Sequence, residues 1–143
     1  MHCCAHGLSV IREADHVRCL ASNPASPDVW ASGSYDHTVR VWDVRSQGES
    51  VMRVDHGQPV QAAVVLPGGG VLATAGGNVI KIWDLLGGGR LLQAMCNHSK
   101  PITSLAIDGD GGRLLSGSLD HHLKVSGIHA TRCVYACMRH PCD

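Results

Sequence analysis

Self-similarity at a period near forty residues constrains this chain more than any single motif. A unit that short cannot bury its own apolar face, so it must stack on copies of itself. The clearest unit is ASGSYDHTVRVWD over residues 31–43. Thr38-Val39-Arg40-Val41-Trp42 alternates apolar with polar and is rich in β-branched residues, the pattern of a strand. Asp36 suits the preceding turn because a short carboxylate accepts nearby backbone N–H groups. Trp83 follows Trp42 by 41 residues, and 43 residues further on the frame reaches Ser126, behind His121-His122-Leu123-Lys124-Val125. Six residues before each anchor stand Asp36, Gly77 and Asp120; ten before stand Ser32, Ala73 and Ser116. His16, His56 and His98 open the units at spacings of 40 and 42 residues.

A histidine, a polar turn and a Trp-Asp pair recurring every 40–45 residues is the spacing of a four-stranded propeller blade. VRVWD at 39–43 and KIWD at 81–84 resemble the signature of the WD-repeat family. The resemblance implies an all-β fold: a partial WD-repeat β-propeller of about three four-stranded blades, out of an expected seven. It also implies a structural tetrad, linking the opening His, a strand Ser or Thr, the turn Asp and the Trp by hydrogen bonds. Unit one carries the set as His16, Ser32, Asp36 and Trp42. Unit two keeps His56 and Trp83 but has Ala73 and Gly77, and unit three keeps His98, Ser116 and Asp120 without the Trp. Tyr35 and Leu119 precede the turn aspartates, on a face that propellers of this kind use for partner proteins. A surface Tyr suits an anchor there, combining apolar area with a hydroxyl.

The ordered set DHVRC, GSYDHTVRVWD, DHGQPV, VIKIWDLLGGGRLL, NHSKPIT and RLLSGSLD narrows the likeness, over roughly residues 15–125. It resembles the nucleolar branch of the family, subunits of the small-subunit processome. That resemblance implies a non-catalytic protein-interaction scaffold in pre-ribosomal RNA processing and small ribosomal subunit biogenesis. Its partners would be other processome proteins, and its location the nucleus and nucleolus.

With 143 residues the chain can build a real core, but three blades are too few for a closed ring. The 12 basic and 12 acidic residues are spread along the sequence without a basic run, unlike a nucleic-acid footprint. RNA contact is therefore expected to be indirect, through proteins. No apolar run is long enough to span a bilayer, and Met1-His2-Cys3-Cys4-Ala5-His6 lacks the basic and apolar regions of a signal peptide. Seven cysteines in such a chain favour free thiols over disulfides. No membrane, small-molecule substrate or cofactor is expected.

Along the chain, residues 1–14 do not match the repeat, although Ser9-Val10-Ile11-Arg12 fits an outer strand of a preceding blade. The blades are read as 15–54, 55–96 and 97–125. Residues 23–28, NPASPD, form a turn cluster, while Pro67-Gly68-Gly69-Gly70 and Gly87-Gly88-Gly89 form hairpins. Residues 126–143 are a divergent Cys/His-containing tail with no strand period.

Three chemical readings compete with a scaffold. Cys133, Cys137, His140 and Cys142 are ligand types that zinc takes, but C-x3-C-x2-H-x-C is no standard zinc spacing and Pro141 restricts the turn. His2, Cys3, Cys4 and His6 fit worse, since adjacent cysteines rarely reach one ion. His16, Asp36 and Ser32 have the composition of a hydrolase triad, yet a triad is defined by geometry and an oxyanion hole, and these types recur at a structural period. The glycine runs lack the Lys-Ser/Thr and helix of a phosphate loop. No catalytic residue and no metal is therefore expected. A generic WD-repeat adaptor in ubiquitin ligation or signalling, a non-functional partial gene product and a zinc-binding protein are the alternatives to the processome scaffold.

Overall fold

The structure is a computed structural model that describes residues 15–45, 50–96, 98–108 and 112–127, with the backbone of 135–138. The described residues hold twelve strands and no helix. The first sheet takes β1 (Val17–Asn23), β2 (Ser26–Ser34), β3 (Thr38–Asp43) and β4 (Ser50–Asp55) in chain order. The second takes β5 (Val60–Val65), β6 (Val71–Gly76), β7 (Val79–Asp84) and β8 (Arg90–Met95). The third takes β9 (Ile102–Ile107), β10 (Arg113–Ser118), β11 (Leu123–Gly127) and β12 (Tyr135–Met138). Every neighbouring pair is antiparallel.

Sheets meet through their first strands, with β5 lying between β1 and β9. Two apolar cores fill the gaps. Ala31, Val39 and Val54 of the first sheet meet Val60, Ala63, Leu72 and Trp83 of the second. Ala73, Ala75, Ile80 and Ile82 of the second meet Ile102 and Leu114 of the third. The second sheet is covered on both sides, which is why β6 reads Val71-Leu72-Ala73-Thr74-Ala75 rather than alternating apolar with charged. The molecule is an open arc of three propeller blades, as the repeat spacing implies.

Two expectations change. The turn cluster at 23–28 contracts to Pro24-Ala25, because Asn23 Oδ1 accepts the Ala25 N–H at 2.9 Å and lets Ser26 begin β2. Pro27 and Asp28 lie inside that strand. The tail also supplies a strand: β12 runs antiparallel to β11, with Val125 opposite Ala136. A sheet edge offers unpaired N–H and C=O groups to any segment that can reach it, and the four residues Tyr135-Ala136-Cys137-Met138 are enough to use them. The proposed strand at Ser9–Arg12 lies outside the described residues.

Candidate functional site

The hydrogen-bonded sets linking the strands are the chemically richest places in the molecule, and they differ between units. In the first sheet the Trp42 indole N–H donates to Ser32 Oγ at 2.7 Å, both residues buried. Asp36 does not join them. Its Oδ1 accepts the Thr38 N–H at 3.0 Å and the Thr38 hydroxyl at 2.5 Å, closing the turn locally. His16 is also elsewhere, its side chain 83% exposed and bonded to its neighbour Asp15. The physical reason is register. Tyr35 N–H donates to His16 O just as Leu119 N–H donates to Pro101 O, so His16 stands where Pro101 stands, not where His98 does.

In the second sheet the set centres on Thr74. His56 Nε2 lies 3.1 Å from the Gly76 carbonyl, which can only accept, so Nε2 carries the proton and Nδ1 accepts. The Thr74 hydroxyl then donates to Nδ1 at 2.8 Å and accepts the Trp83 indole N–H at 2.9 Å. Burial holds the His56 pKa below its ordinary value, and the nearby Lys81 charge adds to this against the hydrogen bond to Gly76. Thr74, not Ala73, occupies the strand position, because the β6–β7 hairpin is one residue shorter in register: Thr74 pairs with Lys81 seven residues on, where Ser32 and Ser116 pair with Arg40 and Lys124 eight residues on. Ala73 faces the opposite side, opposite Ile82. Counting from the histidines reveals this: Thr74 follows His56, and Ser116 follows His98, by 18 residues each.

In the third sheet His98 Nδ1 donates to Asp120 Oδ2 at 3.0 Å, and Ser116 Oγ lies 2.7 Å from Nε2. The Ser99 and His122 N–H groups also bond Asp120, at 3.1 and 2.9 Å. Burial works against the Asp120 charge, but these donors outweigh it and hold the carboxyl well below its usual range. Ser116, His98 and Asp120 thus have the order of a hydrolase relay. All three are buried, with Ser116 only 1% exposed, so the hydroxyl faces its own sheet and not a substrate.

The β2–β3 and β10–β11 turns share one geometry. Asp36 and Asp120 each bond the N–H two residues on, which places His37 and His121 in the left-handed region at φ 75° and 68°. Tyr35 and Leu119, one residue before the aspartates, are exposed. Arg18 lies over the Tyr35 ring at 5.5 Å and is steadied by Gln61 Oε1, 3.1 Å from its Nη2. Cys133, His140 and Cys142 lie outside the described residues, as does the side chain of Cys137. Among the described residues no group of three or more His, Cys, Asp or Glu could hold a metal ion. No described helix is long and apolar enough to cross a membrane.

Comparison with known proteins agrees with this architecture. The family model for the WD domain, G-beta repeat, matches residues 7–43, 48–84 and 89–125. Each of the last two matches takes in the outer strand of the preceding sheet, β4 or β8, so successive repeats interlock the sheets. The chain is 43% identical over 129 residues to the U3 small nucleolar RNA-associated protein 15 homolog of Gallus gallus, covering 90% of this chain and 25% of that protein. It is 50% identical over 111 residues to the Xenopus laevis protein of the same name, covering 78% and 21%. It is 44% identical over 123 residues to the Homo sapiens one, covering 86% and 24%. The chain therefore spans about a quarter of the length of these curated relatives. Three matched repeats folded as three four-stranded sheets make the chain a member of the WD domain, G-beta repeat family.

Proposed function

We propose that the chain is a non-catalytic scaffold that joins proteins of the small-subunit processome in the nucleolus, in pre-ribosomal RNA processing. The observation that carries this reading is 43–50% identity, along most of the chain, to proteins named as U3 small nucleolar RNA-associated. Balanced charge without a basic stripe favours protein partners over direct RNA contact. The buried setting of Ser116, His98 and Asp120 favours a structural part for this relay-like trio. Tyr35, propped by Arg18, and Leu119 are the side chains assigned to partner contact: Tyr and Arg are enriched among the residues that carry an interface's energy, and Leu119 is the exposed residue at the equivalent turn position.

The test is expression of the tagged chain in animal cells. Nucleolar staining and co-purification with processome proteins that survives RNase treatment are expected, weakened by Tyr35→Ala with Leu119→Ala. A diffuse distribution, or capture abolished by RNase, would refute the reading.

A further inference from the structure

The rim of the second sheet ends in a strand whose outer edge is open and uncharged. We infer that β8 is a docking edge: an extended, uncharged segment of a partner protein adds to the second sheet there as a fifth strand, its apolar side chains covering Leu91 and Leu92. This goes beyond the scaffold reading and does not rest on it, since it uses neither Tyr35 nor Leu119.

Position in the fold makes the edge available. The inner strands β1, β5 and β9 lie against one another. The outer strands β4 and β8 each have one hydrogen-bonded neighbour. In an antiparallel pair, alternate N–H and C=O groups point away from the neighbour, and a row of them is a template for another strand. Among the described residues no strand pairs with that side of β8. Both faces of the second sheet are covered by its neighbours. Further blades would extend the arc beyond the first and third sheets and leave this outer edge as it is.

Chemistry separates β8 from β4. β4 carries Arg53 and Asp55, and charge on an edge strand discourages pairing. From Leu91 to Asn97 the chain has no charged residue and no proline. Of the usual protections β8 keeps a bulge: Gln93 stands opposite Ile82 and Leu91 opposite Trp83, which skips Leu92. At this bulge Leu91 and Leu92 are 45% and 47% exposed, and Leu86 in the β7–β8 loop is 88% exposed.

The occupant follows from what the edge offers. Outward backbone groups call for a strand, and the pockets and side chains beside them set its sequence. The leucines call for apolar side chains. Arg90 Nη2, at the start of the strand, lies 3.6 Å from Asp84 Oδ2, so nothing here calls for an acidic partner. A second copy of this chain would bring a bulge of its own to the pairing, whereas a regular strand brings none. Four residues suffice for such a pairing, as β12 shows on β11.

The probe is a short peptide of alternating threonine and valine, with a lysine at each end for solubility, added to the 143-residue chain. Saturable binding by fluorescence anisotropy is expected, with amide exchange in β8 slowed at least about tenfold and that in β4 unchanged. Leu91→Lys and Leu92→Lys change exposed positions, so the far-ultraviolet spectrum should stay the same while affinity falls at least about tenfold. The same peptide N-methylated at every threonine and valine has no strand donors and should not bind, a control that leaves the protein untouched. The inference is overturned by a peptide that does not bind, by equal protection of β4 and β8, by binding of the methylated copy, or by lysine variants that bind as the parent does. Light scattering is the last check: a parent dimer that the lysine variants dissolve would give the edge to a second copy and overturn the inference too.

Discussion

Thr74→Val separates the two possible registers of the second unit. Thr74 is fully buried, and its one hydroxyl serves both His56 Nδ1 and the Trp83 indole N–H, at 2.8 and 2.9 Å. Valine matches its shape and suits a strand, so the substitution removes little besides the oxygen. Two buried polar groups then lose their partner, each costing about 1–3 kcal/mol. Thr74→Ser keeps the oxygen and loses one buried methyl, about 1 kcal/mol. In urea, with a slope of about 1–3 kcal/mol per molar, the valine midpoint should fall about 1 M below the serine midpoint. Tryptophan fluorescence reads the transition, and equal slopes check that both variants unfold in the same way. Exchange of the Trp83 indole N–H should accelerate in the valine variant more than in the serine one. A valine midpoint equal to or above that of serine refutes the network. Recovery of Thr74→Val by Ala73→Ser would refute the register, since Ala73 faces the core shared with Leu114.

Other outcomes follow from the same geometry. His16→Ala should change stability by less than about 0.5 kcal/mol, as exposed sites do, whereas Ser32→Ala strands the buried Trp42 indole and should cost about 1–3 kcal/mol; equal losses in urea would restore His16 to the set. His121→Gly should stabilise by about 0.5–1 kcal/mol, because φ 68° strains any side chain; a lower midpoint would refute the strain. Acid should weaken the fold in two stages. His56 has a lowered pKa in the fold, so the unfolded chain binds its proton more readily, and stability is full above about pH 6.5 and declines as pH falls below it. Asp120 also has a lowered pKa, so its contribution is full above the usual carboxylate range near 3.8 and is lost as pH falls through that range and below. A denaturation midpoint unchanged between pH 7 and 5 would count against the buried neutral His56.

The repeat made the fold legible because Trp42 and Trp83 are hard to misplace: a large apolar ring with one N–H donor has few suitable homes in a strand. Ser32 was legible for the same reason, lying one hairpin from its indole. Errors arose where chain length between anchors changed. The short Gly77-Asn78 turn shifted the second unit by one residue and hid Thr74 behind Ala73. In the first unit, backbone pairing sets His16 level with Pro101, which no residue-type pattern reveals. β12 was missed because a strand that borrows its hydrogen bonds from an edge needs little periodicity of its own.

The three units divide one set of ties, and the division follows position in the arc. A histidine tie fastens the segment before a sheet to its second strand; an indole tie fastens the second strand to the third. The second unit has both, through His56 and Trp83 on Thr74. The first has the indole tie alone, through Trp42, and the third the histidine tie alone, through His98 with Asp120. Apolar cover follows the same order: Leu72 and Ile80 are fully buried in the second sheet, while Trp30 and Leu123 are open in the first and third. In stacked arrays stability is close to a sum of each unit's own terms and those with its neighbours, so both contributions peak in the second sheet. Amide hydrogen exchange measured on the chain should therefore be slowest in β6 and β7 and rise toward β1 and β11. Equal protection across the three sheets would mean that neither the missing ties nor the open faces matter to local stability.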